Sequence, residues 1–218
     1  MTIADLISAF ITLFVIVDPP GLGPIFLAVT QGMPDAARRR IALEAALISF
    51  GVLAGAALIG EWLLRNLGIG LPAFRIAGGI LLFVIGFEML FDRRQQRKAN
   101  DASETAAERQ AGLAVFPLAI PLMTGPGAIT AAVLLASRAG GDILDLGLLI
   151  LVFAIVIGMA FAIFRLSPWL DRVLGHKTQA IFIRLLGVLL AALAVQFVVD
   201  GVVAVWSEVT GDAAVEVP

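Results

Sequence analysis

Two short segments rich in proline and glycine carry the residues best suited to chemistry in this chain. Each lies within a long apolar stretch: Asp18, Pro19, Pro20, Gly21, Gly23 and Pro24 in the first, and Pro121, Thr124, Gly125, Pro126 and Gly127 in the second. Because proline lacks a backbone N–H and clashes with the preceding turn, neither segment continues as regular helix. In lipid, the freed backbone groups must be buried in protein or line a wet cavity. Paired interruptions of this kind predict a site for a small solute near the membrane midplane.

Pro24 and Pro126 are placed to begin a second half-helix after each interruption. A helix N-terminus carries partial positive charge and free N–H groups, so two such ends would bracket a carboxylate or a phosphate. Four neighbouring glycines leave room for a ligand to approach the backbone: Gly21, Gly23, Gly125 and Gly127. The alternative is that the prolines only kink the helices and shape the bundle.

Asp18 is the most informative single residue, because it lies about 13 residues into an apolar stretch, where a carboxylate is costly and usually functional. Three binding roles are open to it: a partner for a substrate ammonium, a ligand for a coupling sodium ion, or a carrier of a coupling proton. The alternative is an N-cap for a helix that begins at Pro19. The hydroxyls of Thr124 and Thr130 lie near the second segment and either ligate a substrate or sodium ion or bond back to their own helix.

Composition identifies the class of protein. The chain has 218 residues, of which 60% are hydrophobic and 15% charged, and its mean hydropathy is +1.01. This profile is typical of a helical protein that crosses the membrane several times. With no cysteine and one histidine, His176, disulfides, zinc clusters and His-dependent nucleophiles are excluded. We therefore predict a membrane protein that is not an enzyme, with no cofactor, no metal site and no nucleic-acid partner.

The apolar stretches predict six spans near residues 5–30, 41–64, 73–91, 113–137, 143–164 and 181–203, each close to the roughly 20 residues that a crossing helix needs. The connections after the first, third and fifth spans together hold eleven Lys and Arg residues. The positive-inside rule then makes these connections cytoplasmic and leaves both termini outside. The domain boundaries that follow are 1–91, a polar cytoplasmic linker at 92–112, 113–205, and an acidic tail at 206–218.

Local signals add three expectations. Thr2 and Asp5 have the spacing of a capping box at the start of the first helix. Gly51 and Gly55 would allow close helix approach on the second span. Ser167, followed by proline, suits the N-cap of a short helix between the last two spans.

The two halves of the chain repeat each other weakly. A shift of 102 residues places Pro19, Gly23 and Pro24 on Pro121, Gly125 and Pro126, and a shift of 109 places Arg75, Gly78 and Leu81 on Arg184, Gly187 and Leu190. Between them, Gly51 matches Gly158 at 107, a match that alone would mean nothing. Because three spans per unit is an odd number, the two units would be inverted in the membrane. Arg75 and Arg184 would then lie near equivalent span ends, where they either gate the two mouths or extend to the interface.

The motifs resemble those of a known family. The pattern Asp18-Pro19-x-Gly21-x-x-Pro24-x-Phe26-x-x-x-Thr30, the run from Phe116 through Pro121 to Ile129, and the run from Arg75 to Leu82 are similar to signatures of the MarC family, also called the neutral amino-acid transporter family. The resemblance implies a six-span bacterial inner-membrane protein related to amino-acid exporters of the LysE type. For some relatives it implies transport of small neutral amino acids. Leu22 departs from the pattern, in which many relatives carry asparagine, and this implies a more apolar substrate or a different coupling.

The prediction is an all-α polytopic protein with six transmembrane helices in two inverted three-helix repeats, the first and fourth helices being broken. Its predicted function is secondary transport of small neutral amino acids across the lipid bilayer, with proton or sodium coupling, and a homodimer is compatible with its small-residue faces. Two alternatives remain open. One is a scaffold or accessory protein whose helix breaks are structural, and the other is a channel, which the lack of a ring of pore-lining charges disfavours.

Overall fold

The computed structural model describes residues 1–91 and 114–210 of the chain. In these two parts all regular structure is helical, without a strand, and the elements are α1 (Ile3–Val17), α2 (Pro19–Val29), α3 (Asp35–Asn66), α4 (Leu71–Leu90), α5 (Ala114–Met123), α6 (Pro126–Arg138) and α7 (Ile143–Thr210). The all-α class is confirmed. The predicted linker at 92–112 and the part of the acidic tail beyond residue 210 lie outside the described residues.

The first two helices are joined by one residue. α1 begins at a capping box, in which the Thr2 hydroxyl accepts a hydrogen bond from the Asp5 N–H (3.2 Å) and the Asp5 carboxylate accepts one from the Thr2 N–H (2.7 Å), as the spacing predicts. α1 ends at Val17 because Pro19 and the proline after it have no N–H to donate to the preceding turn. Asp18, between α1 and α2, has left-handed backbone angles of φ 57° and ψ 59°.

Five helical stretches in the described residues are long and apolar enough to cross a membrane: Ile3–Val29, Asp35–Asn66, Leu71–Leu90, Ile143–Ser167 and Ile183–Thr210. They agree with five of the predicted spans, so the chain is a multi-pass membrane protein. The remaining predicted span, 113–137, is occupied by α5 and α6, each of which is too short to cross alone. The crossing of this pair, and hence the total of six, stays a prediction.

The stretch Ile3–Val29 forms the centre of the bundle. In its most apolar part 67% of the residues are buried, whereas the share is 33% or less in the other four stretches. Large apolar side chains such as Trp62, Phe83 and Leu185 are exposed on the surrounding helices. This inside-out distribution is expected for a protein whose outer surface contacts lipid.

α4 packs closely against the last stretch of α7 through small residues. A Cβ added to Gly86 would lie 2.9 Å from both the Gly187 carbonyl oxygen and the Ala191 nitrogen, and one added to Gly79 would lie 2.8 Å from the Ala194 oxygen. These contacts are between backbones, so only glycine fits. Small residues allow the same close approach in membrane helix pairs generally.

The expectation that Gly51 and Gly55 bring helices together is wrong within this chain. A Cβ at either position would meet nothing within 4 Å, because this face of α3 points out of the bundle. α3 instead approaches α6 at Gly60, where an added Cβ would collide with Val133. Residue type alone did not reveal which face of α3 is buried.

α7 folds back towards its own beginning. Asp200 pairs with Arg138 (3.6 Å), which comes five residues before α7 starts, whereas a straight helix would separate residues 143 and 200 by roughly 85 Å. The apolar stretches Ile143–Ser167 and Ile183–Thr210 therefore lie in one bundle. The expectation that Ser167 caps a separate short helix is wrong, because α7 continues through it and its hydroxyl donates to the Phe164 carbonyl (2.9 Å).

Candidate functional site at the two helix interruptions

Asp18 is fully buried and caps both helices that meet at it. Its N–H donates to the Phe14 carbonyl at the end of α1 (2.9 Å), and its Oδ1 accepts from the Gly21 N–H at the start of α2 (3.2 Å). The capping role left open by the sequence is therefore present. A carboxylate has about four acceptor positions. Capping α2 therefore does not by itself exclude a cation-binding role for a carboxylate.

The first interruption differs from the sequence-based expectation in one respect. α2 begins at Pro19, where the fixed φ of proline suits the first helical position. The expectation that Pro24 begins the half-helix is wrong, because Pro24 lies inside α2. Gly23 is buried against α7, where an added Cβ would lie 3.2 Å from the Ile163 side chain. Gly23 thus allows close approach of α2 to α7.

The second interruption lies between α5 and α6. α5 is wound as a π-helix, and its wide turn extends to Thr124, whose N–H donates to the Ala119 carbonyl five residues earlier (2.9 Å). The Thr124 hydroxyl donates to the same carbonyl (2.8 Å), which is the back-bonding alternative. α6 then begins at Pro126, as predicted, with Gly125 as its N-cap.

The two helix starts differ in electrostatic character. The N-terminus of α2 receives the Asp18 carboxylate, whereas Gly125 has no side chain and no side-chain hydrogen bond caps α6 among the described residues. The first N–H groups of a helix lack intrahelical partners and carry the positive end of its dipole. The first interruption is therefore acidic, and the second is a positive helix end.

The two interruptions lie side by side. A Cβ added to Gly127 would contact Ile85 of α4 and lie 3.9 Å from Cγ2 of Ile16, two residues before Asp18. On the other side, the Ser49 hydroxyl of α3 contacts the Met123 sulfur (3.4 Å). The residues flanking Asp18 and Gly125 thus meet inside one shell formed by α3 and α4.

Four other predicted residues are placed as follows. Thr130 is buried, with its methyl group against Gly78 of α4. Pro121 lies in α5, but its side chain is outside the described residues. Arg75 and Arg184 are near opposite ends of the antiparallel α4–α7 pair, away from the interruptions. Gating by these arginines stays a prediction.

Sequence reasoning missed two features of the site. Ser49 is fully buried beside the second interruption, and a lone hydroxyl in the apolar second span was the available signal. The rings of Phe26 and Phe164 stack with centroids 4.5 Å apart, one turn after Gly23. No sequence signal pairs these rings, since 138 residues separate them.

The chain is similar to proteins named only as membrane proteins. A family model described as MarC family integral membrane protein matches residues 3–206. A UPF0056 membrane protein of Archaeoglobus fulgidus is 39% identical over 194 residues, which is 89% of this chain and 90% of the relative. The UPF0056 membrane protein YhcE of Escherichia coli is 36% identical over 195 residues, 88% of this chain and 89% of the relative. YvbG of Bacillus subtilis, also a UPF0056 membrane protein, is 33% identical over 203 residues, 92% and 95% respectively. No solved structure matches the chain.

Proposed function

Because the chain belongs to the MarC family of integral membrane proteins, we propose that it is a secondary transporter of small neutral amino acids. The substrate would bind between the two helix interruptions and cross by alternating access. The observation that carries this proposal is the opposite electrostatic character of the two interruptions. The names of the relatives state no substrate, so the substrate class rests on the chemistry of this site.

The polarity of the site matches a zwitterion. Asp18 would bind the ammonium group, with the carbonyl end of α1 adding partial negative charge beside it. The N-terminus of α6, which no side chain caps, would attract the carboxylate through the positive end of its helix dipole. Gly125 adds no side chain at that end, whereas Gly127 is packed against Ile85 and leaves no open space there, contrary to the expectation that it makes room for a ligand. The shell around these groups is apolar, as at Leu22 and Ile85, which suits a small side chain without charge.

An inverted repeat of two three-helix units supports alternating access. α4 and α7 contact each other at three levels: Gly86 with Gly187, Gly79 with Ala194, and Pro72 with Gly201. Seven residues forward along one helix correspond to seven residues backward along the other, so the two helices are antiparallel. The same register pairs residues 82 and 191, which the 109-residue shift also relates. A two-fold axis in the membrane plane would pass through that crossing.

The 102-residue shift gives a second line of support. It converts the approach of Ile16 to Gly127 into an expected approach of Leu118 to Ile25; both residues are buried, and α2 and α5 are in contact. We propose that α5 and α6 together cross the membrane as the fourth, broken span. The basic connections then make the α2–α3 turn cytoplasmic and leave both termini outside the cytoplasmic membrane. Coupling to a proton or sodium ion and a homodimeric state are part of the proposal.

A structural scaffold is the alternative, and specific packing favours it. Asp18 already caps α2, Thr124 bonds back to α5, and Gly23 is in contact with Ile163. In that function the interruptions would be sealed by these contacts in every state. The two functions differ in whether removing the carboxylate changes transport or only stability.

The test is counterflow of labelled alanine, glycine, serine and threonine in proteoliposomes. We expect saturable counterflow in the wild type and a loss of roughly tenfold to 150-fold in Asp18→Asn, because a hydrogen bond to a charged group contributes about 1.5–3 kcal/mol. Asp200→Asn is the matched control, since it removes a carboxylate at the bundle end. Gly125→Leu should abolish counterflow, whereas Gly158→Leu, which points into open space, should not.

Two results would reject this function. One is the absence of counterflow for all four amino acids in a folded wild-type protein. The other is an Asp18→Asn protein that loses thermal stability but transports at the wild-type rate per folded molecule. The second result would support the scaffold.

A further inference from the structure

Phe26 and Phe164 form an aromatic contact between the two halves of the chain. The rings are nearly parallel (14°) with centroids 4.5 Å apart, and the two residues are 1% and 2% exposed. Phe26 belongs to α2 in the first half and Phe164 to α7 in the second. Any separation of the two halves along this surface must part the rings.

This contact lies between the first interruption and the membrane surface that carries the basic residues. Phe26 is three residues before the end of α2, which leads to the turn preceding Arg38. Phe164 directly precedes Arg165, close to the end of the stretch Ile143–Ser167. One turn nearer to Asp18, Gly23 closes the same surface against Ile163. Among the described residues, the rings thus lie on the basic side of the Gly23–Ile163 contact.

Under the predicted repeat, the opposite route would be built differently. The 102-residue shift relates Phe26 to Ala128, and the 107-residue shift relates Ala57 to Phe164. Ala57 and Ala128 are both buried, at 7% and 1% exposure. Two stacked rings on the basic side therefore correspond to two methyl groups on the other side.

We propose that Phe26 and Phe164 are the gate that closes the substrate site to the basic side of the membrane. The inference rests on the proposed transport function and names the residues that control access to that site. Solute passage on this side requires the rings to separate, which exposes two apolar faces and ends their stacking. At the corresponding described positions on the opposite side, Ala57 and Ala128 carry no rings, and that side would close by helix contact around them.

The chain contains no cysteine, so a single introduced thiol reports access directly. Ser49→Cys is the reporter, because Ser49 is fully buried beside Met123 at the second interruption. A membrane-impermeant cationic methanethiosulfonate is applied from each side of membrane vesicles. Gln31→Cys, in the exposed α2–α3 turn, defines the basic side, and Asn66→Cys, at the exposed end of α3, defines the other.

We expect Phe26→Ala and Phe164→Ala to raise the labelling rate of the Ser49→Cys reporter from the basic side by roughly tenfold, equivalent to about 1.4 kcal/mol, and to leave labelling from the other side unchanged. Phe26→Leu, which keeps an apolar side chain but removes the stacking, should give a smaller increase. Phe153→Ala is the matched control, because Phe153 is fully buried in the same stretch of α7 and is not in the ring pair. It should leave the labelling rate near that of the reporter alone.

Three results would reject the gate. The labelling rate could stay unchanged in all three Phe26 and Phe164 variants, or it could rise equally in Phe153→Ala. It could also rise only when the reagent is applied from the Asn66 side. Thermal unfolding of each labelled protein separates gating from loss of fold, and Phe26→Leu retains the test should an alanine variant unfold. Increased labelling from the basic side with no amino-acid counterflow would support the gate while rejecting the proposed substrate. The two proposals therefore fail by different measurements.

Discussion

Replacing Gly86 by alanine places a methyl group where the backbones of α4 and α7 nearly touch. The new Cβ would lie 2.9 Å from the Gly187 oxygen and 2.9 Å from the Ala191 nitrogen. Neither atom can swing aside as a side-chain end does, so the helices must move apart. Overpacking of this kind costs about 1–3 kcal/mol, and the higher helix propensity of alanine offsets roughly 0.5–1 kcal/mol of it. We expect a net loss of about 1–2 kcal/mol in the free energy of unfolding.

The matched control for this change is Gly158→Ala. Gly158 is helical, and its added Cβ meets nothing within 4 Å, so only the propensity term remains. We expect this variant to gain up to about 1 kcal/mol. Unfolding of both purified proteins in detergent can be followed by fluorescence, because the chain has three tryptophans. Equal unfolding temperatures for the two alanine variants would refute the close approach of α4 and α7.

Two further predictions concern single residues. Asp18→Ala should destabilise the protein by about 1 kcal/mol more than Asp18→Gly, because glycine adopts the left-handed backbone without strain and is the better N-cap. Chemical unfolding measures this difference in stability. An alanine variant more stable than the glycine variant would contradict the φ of 57° at this residue. Asp200→Asn should change the free energy of unfolding by less than about 1 kcal/mol, because the ion pair of Asp200 with Arg138 (3.6 Å) is partly exposed. The Arg138 guanidinium would keep its position 5.2 Å from the centre of the Phe197 ring. A larger loss in the same assay would mean that this ion pair holds α7 in its folded-back position.

The chemistry of proline made the two helix starts predictable. Pro19 and Pro126 end one helix and begin another because they lack an N–H and fix φ, and both starts occur where the sequence placed an interruption. The N-cap alternative for Asp18 follows from the same local rules. Pro24 was misassigned because a proline inside a membrane helix is tolerated where neighbouring groups satisfy the backbone, so its position alone does not mark a helix start.

Features that depend on helix rotation could not be predicted. Gly51, Gly55 and Gly86 look alike in sequence, yet only Gly86 faces a neighbouring helix. The ring pair and the Ser49–Met123 contact join residues that are distant in sequence, and no local pattern specifies them. The π-helix of α5 was also missed, because a wider turn is selected by the packing of the surrounding chain as well as by the residues within it.

Asp18 is the single residue that links helices α1 and α2. Because only the φ and ψ angles of Asp18 separate the two helices, a small change in these angles rotates the whole of α2 relative to α1. The eleven residues of α2 give it a length of about 16 Å, so a 10° rotation would displace its far end by roughly 3 Å and the Phe26 backbone by roughly 2 Å. A ligand that binds the Asp18 carboxylate and changes its backbone angles would then displace Phe26 from Phe164 by rotating α2, without contacting either ring.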